Sequence, residues 1–94
     1  MISNMKATLM ARRRIVYSPT AFTVLVLWRV PKPVAGSNHD FKYRLAYVVD
    51  AACVVRYDNE LSKGEHRRIG LTESEYKFAS PEKLMIDFQN DIAR

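Results

Sequence analysis

The sequence predicts an α+β fold, in which an antiparallel meander of four or five strands carries a C-terminal helix packed on one face. Three observations lead to this prediction. Most of the 94 residues fall in short runs rich in β-branched and aromatic side chains, separated by turn-forming residues. The segment after Ser80 has the spacing of an amphipathic helix. A chain of this length suits one small domain, so we expect a single domain over residues 1–94.

The first two predicted strands meet at a proline turn, Ser18-Pro19-Thr20. Residues 6–17 contain no glycine or proline. They include Arg12, Arg13 and Arg14, which put charge on both faces of a strand, so we expect either an edge strand or a strand end that extends beyond the sheet. Residues 21–30 are almost continuously apolar, which favours a strand buried on both faces near the sheet centre.

Three further strands are predicted after the break at Pro31-Lys32-Pro33. Residues 41–49 alternate between large apolar and smaller or charged side chains. Residues 50–52 form a tight connection, although they lack the glycine that a type I′ turn favours. Residues 53–57 are the next strand, and residues 66–69 form a short fifth strand.

The predicted helix begins after Ser80, a good N-cap residue, with Pro81 at the first helical position. Glu82 lies near the positive end of the helix dipole. At 100° per residue, one side of the helix carries an apolar stripe that we expect to face the core. The stripe consists of Leu84, Met85, Phe88 and Ile92.

The net charge of +5 is unevenly distributed. Residues 1–47 carry eight Lys/Arg and one acid, for +7, whereas residues 48–94 carry seven and nine, for −2. A basic half suggests a polyanionic partner. The single cysteine, Cys53, excludes an internal disulfide and a cysteine-based zinc site. The longest apolar run is far too short to span a membrane, and no signal peptide is visible, so we expect a cytoplasmic protein. Nucleic acid and an anionic membrane are the candidate polyanions, and because no amphipathic basic helix is predicted that could lie on a membrane, we expect no membrane partner.

Two interpretations of the triple arginine stay open. The charges either protect a sheet edge or contact phosphates. Other cations in the same half favour the second interpretation, and no spacing among them is base-specific. The candidate RNA-binding residues are Arg12, Arg13, Arg14, Arg29, Lys32, Lys42 and Arg44.

Residues 57–68 concentrate carboxylates, cations and one imidazole around a glycine. RNA cleavage requires proton transfers, which histidine performs near neutral pH, and a cation on the phosphate, which arginine grips with two N–H groups. On an extended segment His66 and Arg68 share one face, while Glu65 and Arg67 occupy the other. The alternative is a solvated polar loop. No spacing here matches a zinc or calcium signature, and we expect neither metal nor cofactor.

Two further side chains receive structural interpretations. His39 lies in a loop beside Asp40, where we expect it to be exposed. Trp28 lies on an apolar strand, where we expect a core position instead of a stacking platform.

The chain resembles the TumE-like family of small bacterial toxins over nearly its whole length from Met5. We therefore expect residues 1–5 to form a flexible N-terminal extension. The resemblance is carried by residues 42–50 (Lys-Tyr-Arg-Leu-Ala-Tyr-Val-Val-Asp), residues 53–59 (Cys-Val-Val-Arg-Tyr-Asp-Asn) and Lys63-Gly64-Glu65-His66-Arg67. Supporting matches are residues 5–9, residues 26–31 and Tyr76-Lys77-Phe78 before the helix.

The resemblance implies a growth-inhibiting toxin of a type II toxin–antitoxin module, with a cognate antitoxin that carries a helix-turn-helix domain. By analogy with RelE-like ribonucleases, it also implies action on RNA. Many members have a second histidine where this chain has Arg68, and an aspartate where it has Glu65. A second proton carrier would then be Tyr57, Lys63 or Glu65. Ala51 replaces a common glycine in the turn.

We therefore predict a toxin that binds RNA and cleaves it without metal. His66 acts as acid or base, while Lys63, Arg67 and Arg68 stabilise phosphate charge and Tyr57 and Asp58 position the loop. Two alternatives stay open: a non-enzymatic module that binds RNA or the ribosome, and a degenerate member that binds only its antitoxin.

Overall fold

The computed structural model describes residues 6–60 and 64–93 of the chain. The prediction for residues 1–5 lies outside this part. Six strands form one antiparallel sheet whose order follows the chain, β1-β2-β3-β4-β5-β6. The elements are β1 (Thr8–Ser18), β2 (Ala21–Arg29), β3 (Phe41–Val49), β4 (Ala52–Asp58), β5 (His66–Ile69), β6 (Thr72–Glu75) and α1 (Pro81–Ile92).

The predicted α+β meander with a C-terminal helix is confirmed, with one strand more than expected. The additional strand, β6, has the sequence Thr-Glu-Ser-Glu and is exposed throughout. It carries no apolar pattern because its strand conformation rests on pairing with β5 and not on burial of side chains. β1 lies at the sheet edge, as its charges predict.

The prediction that β2 is buried on both faces at the sheet centre is wrong. β2 is the second strand from the edge, and only alternate residues enter the core. Leu25 and Leu27 are buried on the side that faces α1. The alternate residues Val24, Val26 and Trp28 point to the other side and are half-buried, so the core position that the sequence predicts for Trp28 is wrong.

The core fills the space between the sheet and α1. Leu25, Leu45 and Tyr57 stand side by side on neighbouring strands, and Leu84 and Phe88 of α1 pack onto this side of the sheet. Burial of each such leucine or phenylalanine contributes about 1.5–3 kcal/mol. The sequence-derived stripe of α1 therefore faces the core as predicted, with Met85 and Ile92 partly buried at its border.

The N-terminus of α1 has the predicted cap. The Ser80 hydroxyl accepts a hydrogen bond from the backbone N–H of Lys83 at 3.1 Å, and Pro81 occupies the first turn. This satisfies one of the unpaired amides of the first turn and fixes where the helix begins.

The opposite side of the sheet carries no described helix, and we call it the helix-free face. Strand register aligns one residue from each of five strands in a row across this face. The row runs Arg12, Val26, Arg44, Asp58, His66. Neighbouring strands are about 4.8 Å apart, so the row spans about 19 Å.

The turn between β3 and β4 adopts the left-handed conformation without glycine. Asp50 has φ 50° and Ala51 has φ 65°, the positive values that a type I′ turn needs at both central residues. Aspartate tolerates this region through its short polar side chain, whereas alanine is strained in it.

Candidate functional site

Five of the ten cations that the sequence singles out lie on the helix-free face, together with Arg56. Strand alternation and register put them beside a half-buried apolar strip formed by β2 and β3. The guanidinium of Arg14 lies 4.1 Å from the centre of the Phe22 ring. The cations of this face are Arg12, Arg14, Lys42, Arg44, Arg56 and Arg68.

His66 lies on the same face, at the start of β5. Its register partners are Asp58 on β4 and Glu75 on β6. Its Nδ1 is 3.3 Å from a carboxylate oxygen of Glu73. The side chain is one-fifth exposed, so solvent and a ligand can reach the imidazole.

Arg68 lies two residues further along β5, in register with Arg56 and Glu73. His66 and Arg68 therefore share the helix-free face, which is the arrangement that the sequence suggested. Asp58 also faces this side, where its Oδ2 accepts a hydrogen bond of 2.6 Å from the Nε of Arg56. The carboxylate of Asp58 is buried, and its Oδ1 has no hydrogen-bond partner within the part of the chain that the structure describes.

Tyr57 and Arg67 lie on the other side of the sheet, under α1. The Tyr57 hydroxyl donates a hydrogen bond to Asp91, and the Nη1 of Arg67 is 3.7 Å from the same carboxylate. The pKa of Tyr57 is raised, mainly by burial and secondly by its hydrogen bond to Asp91. A hydrogen bond with Tyr57 raises the pKa of Arg67. These two groups fasten the helix to the sheet and do not share a face with His66.

The remaining predicted site residues are dispersed. Arg13 follows strand alternation to the helix side, where it lines a small cleft with Met85 and Gln89. Arg29 lies 5.2 Å from the centre of the Phe41 ring and 4.0 Å from a carboxylate oxygen of Asp40. Lys32 is exposed in the loop after β2. Lys63 lies outside the described residues.

His39 is not exposed, contrary to the expectation from the sequence. Its ring stacks on Phe78 with centroids 3.9 Å apart, and its Nε2 is hydrogen-bonded to Glu65. The Nδ1 of His39 accepts the backbone N–H of Phe41 at 3.2 Å. Because Nδ1 accepts this N–H, the hydrogen bond between Nε2 and Glu65 is one in which Nε2 donates to the carboxylate. The side chain of His39 is only 14% exposed.

Glu65 lines a polar cleft of about 440 Å³ at one end of the sheet. Besides His39, its carboxylate accepts a hydrogen bond of 2.9 Å from the hydroxyl of Ser37. Glu65 thereby ties the loop before β3 to the start of β5, directly beside His66. Sequence reasoning missed this pair because His39 and Glu65 are 26 residues apart and no local pattern joins them.

Asn59 completes the same junction and is fully buried. Its side chain accepts a hydrogen bond from the backbone of Tyr43 at 2.9 Å and donates to the carbonyl of Phe41 at 2.8 Å and to Ser37 at 3.2 Å. The sequence motif contains Asn59, but its spacing gives no indication of this clamp. Asn59 holds the end of β4 against the start of β3.

Residues 6–60 and 64–93 contain no group of three or more His, Cys, Asp or Glu side chains placed to hold a metal ion. The same residues form no helix long and apolar enough to cross a membrane.

Comparison with known proteins identifies a family. A family model described as Toxin TumE matches residues 4–94. The match includes both sides of the sheet and the whole of α1. No curated protein and no solved structure matches the chain.

Proposed function

Because the chain belongs to the TumE family of toxins, we propose that it inhibits growth as the toxin of a type II toxin–antitoxin module by cleaving RNA on its helix-free face. The observation that carries the proposal is the row of residues across the sheet. His66 lies in one row with Arg44 and Arg12. Asp58, between Arg44 and His66 in this row, is buried and accepts a hydrogen bond from Arg56. A polyanion that crosses the strands therefore meets two exposed cations and an imidazole together.

Further features of the same face support RNA as the polyanion. Arg14, Arg56 and Arg68 form a second row, two residues along the strands from the first. Trp28 is half-buried on this face beside Lys42, which makes its ring available for stacking on an unpaired base. Cations for the backbone and an aromatic ring for the bases are the usual combination in proteins that bind single-stranded RNA.

The chemistry we propose is attack by the RNA 2′-hydroxyl on the adjacent phosphorus. The 2′-hydroxyl loses a proton, its oxygen bonds to phosphorus, and the 5′-oxygen leaves with a proton, which yields a 2′,3′-cyclic phosphate and a 5′-hydroxyl. His66 performs one of these two proton transfers, and Arg68 stabilises the phosphate charge through its fork of N–H groups. Asp58 lies beside His66 in register and orients the site through Arg56.

The second proton transfer needs another group. Tyr57 is buried on the helix side, and the carboxylate of Glu65 is bonded to His39 and Ser37. We therefore assign this transfer to Lys63, which precedes Gly64 in the motif. In this proposal Tyr57 and Arg67 support the fold, and Arg13 and Arg29 do not contact RNA bound to the helix-free face.

Lys32 lies in the loop after β2 and contacts RNA only where the RNA extends past the end of that strand.

We further propose a cognate antitoxin with a helix-turn-helix domain as the protein partner, and the cytoplasm as the place where the two meet. The proposal rests on the toxin family. A gene for a helix-turn-helix protein directly beside this one, whose product forms a complex with the chain, is the expected finding.

Induced expression of His66→Ala tests the catalytic assignment. We expect relief of growth inhibition with a circular-dichroism spectrum like that of the parent. Lys83→Ala is the control, because Lys83 is exposed on α1 and lies on the other side of the sheet. A folded His66→Ala protein that still inhibits growth would contradict the assignment. Purified protein and RNA in excess EDTA should give fragments with cyclic-phosphate ends.

One observation favours a non-enzymatic alternative. Within the described residues, His66 is the one imidazole on the helix-free face, and Arg68 stands where the resemblance to the family implies a second histidine. A protein that only occupies RNA or the ribosome would retain RNA in the same assay without cutting it. A degenerate member would form the antitoxin complex and show no toxicity.

A further inference from the structure

The outer edge of β1 is long and lacks a neighbour among the described residues. β1 has eleven residues and pairs on one side only, with β2. Four of the six exposed large apolar side chains of the described chain lie on it, namely Leu9, Met10, Val16 and Tyr17. The opposite edge, β6, is a four-residue strand of polar side chains. An edge strand of this length presents main-chain N–H and C=O groups that can pair with a further strand.

The charges on β1 disfavour a second copy of the chain at this edge. Antiparallel pairing of two copies about Arg13 would set Arg13 against Arg13 and Arg12 against Arg14. Parallel pairing in register would set each arginine beside its own counterpart. Like charges directly opposite one another destabilise a strand pair, so both arrangements are unfavourable.

The same charges suit an acidic strand. Strand alternation puts Arg12 and Arg14 on the helix-free face and Arg13 on the helix side, so three consecutive carboxylates on a partner strand would each meet a guanidinium. On the helix-free face the arginines are flanked by Leu9 and Val16, which apolar residues on either side of the acids would cover.

We propose that the edge of β1 takes up an extended acidic segment of a protein partner as a seventh strand. Main-chain hydrogen bonds to the free edge supply affinity, and the three arginines select the segment. Register between β1 and β2 is interrupted between Leu9 and Ala11 and between Val16 and Ser18, so the regular part open to pairing is residues 11–16.

The bound strand has a consequence that rests on the proposed function. Arg12 and Arg14 belong to the two cation rows assigned to RNA, and carboxylates beside them would neutralise both. An acidic partner at the edge therefore weakens RNA binding without covering His66.

The test uses the full chain and a terminally blocked, fluorescein-labelled peptide. The peptide has three consecutive glutamates, flanked on each side by three residues that are valine or threonine. We expect saturable binding, at least tenfold weaker for the same peptide N-methylated through its centre, since N-methylation removes the main-chain donors and keeps the charge. Equal binding of the N-methylated peptide, or no binding, would overturn the proposal.

A pair of double variants separates the edge from overall charge. Arg12→Glu with Arg14→Glu should abolish binding of the acidic peptide. Lys77→Glu with Lys83→Glu makes the same change in net charge away from β1 and should leave binding within twofold. Equal loss in both would show general electrostatic attraction and contradict an edge site, as would dimerisation of the chain through β1 in sedimentation experiments.

Amide hydrogen exchange locates the bound strand. Alternate amides of residues 11–16 should slow when the peptide binds, while those of Thr72–Glu75 on the opposite edge should not change. RNA affinity is measured separately without peptide. Failure to bind RNA with intact peptide binding would refute the proposed function and leave the edge site, and the reverse result would refute the edge site alone.

Discussion

The hydroxyl of Tyr57 on β4 donates a hydrogen bond to the carboxylate of Asp91 near the end of α1, 34 residues away in the chain. Arg67 approaches the same carboxylate from β5, with its Nη1 at 3.7 Å. The three side chains fasten the helix to the centre of the sheet. The sequence makes two of them, Tyr57 and Arg67, candidates for chemistry, and from these contacts we propose a structural role for both.

Replacement of Tyr57 by phenylalanine should lower the free energy of unfolding by about 1–3 kcal/mol, because the buried carboxylate of Asp91 loses a donor. Urea denaturation measures the change. Tyr17→Phe is the control, since Tyr17 is half exposed and should change stability by less than about 0.5 kcal/mol. Equal losses in the two variants would argue against a structural role for the Tyr57 hydroxyl.

Removal of Arg12 or Arg14 should weaken RNA binding more than removal of Arg13, although the three are adjacent in sequence. The first two lie on the helix-free face and the third does not. Alanine at either position should also lower the slope of log affinity against log salt by about 1, as each phosphate contact is lost. Fluorescence anisotropy at several salt concentrations measures both quantities. An Arg13→Ala effect as large as the others would contradict the assignment of the face.

Alanine should be more harmful at Gly64 than at Gly70. Both glycines have positive φ, 83° and 60°, so alanine costs about 1–2 kcal/mol at each. A Cβ at Gly64 would also meet the carbonyl oxygen of Gly36 at 3.0 Å, whereas one at Gly70 would meet no atom within 4 Å. Denaturation midpoints should therefore fall further for Gly64→Ala. Similar midpoints would show that the contact with Gly36 relaxes freely.

Ala51→Gly should stabilise the protein by about 0.5–1 kcal/mol. Glycine relieves the strain of the left-handed conformation, and this gain exceeds the extra chain entropy that glycine loses on folding. Thermal and urea unfolding measure the gain. Ala52→Gly is the control, since Ala52 begins β4 and should lose stability on the same change. A loss of stability in Ala51→Gly would contradict the inferred strain.

The protein should lose stability at alkaline pH. Burial raises the pKa of Tyr43, Tyr57 and Tyr76 above the ordinary value of 10.0. The folded chain keeps these phenols neutral, while the unfolded chain ionises them at about pH 10. Their contribution is therefore complete below pH 10 and is lost as the pH rises above it. Urea unfolding at about pH 8 and about pH 11 should show the fall, and phenolate absorbance of the folded protein should lag behind that of the unfolded chain.

The sequence predicts the fold where local patterns carry the signal. Pro81 and Ser80 mark the start of α1, and alternation marks Phe41–Val49 to the residue. β6 was missed because Thr72–Glu75 gain strand geometry only by pairing with β5. The sequence misplaces β2 because the apolar residues on its second face are half-buried although no described element covers them.

The candidate site was predictable only in part, for a related reason. Alternation along β5 is enough to put His66 and Arg68 on one face. It gives no information on which face the helix covers. The sequence therefore cannot tell that Arg68 and Arg12 lie on the helix-free face while Arg67 and Arg13 lie under the helix. The bond between His39 and Glu65 joins distant segments, so no spacing in the chain indicates it.

The order of the sheet also bears on how the chain folds. Every strand pairs with its neighbour in sequence, so each pairing closes a short loop at small entropic cost. Pairing between strands that are adjacent in sequence favours folding hairpin by hairpin. The bond from Tyr57 to Asp91 belongs to the one helix–sheet packing of the described chain and closes a much longer loop. We expect the docking of α1 to be the slowest step, and the sheet to form ahead of it.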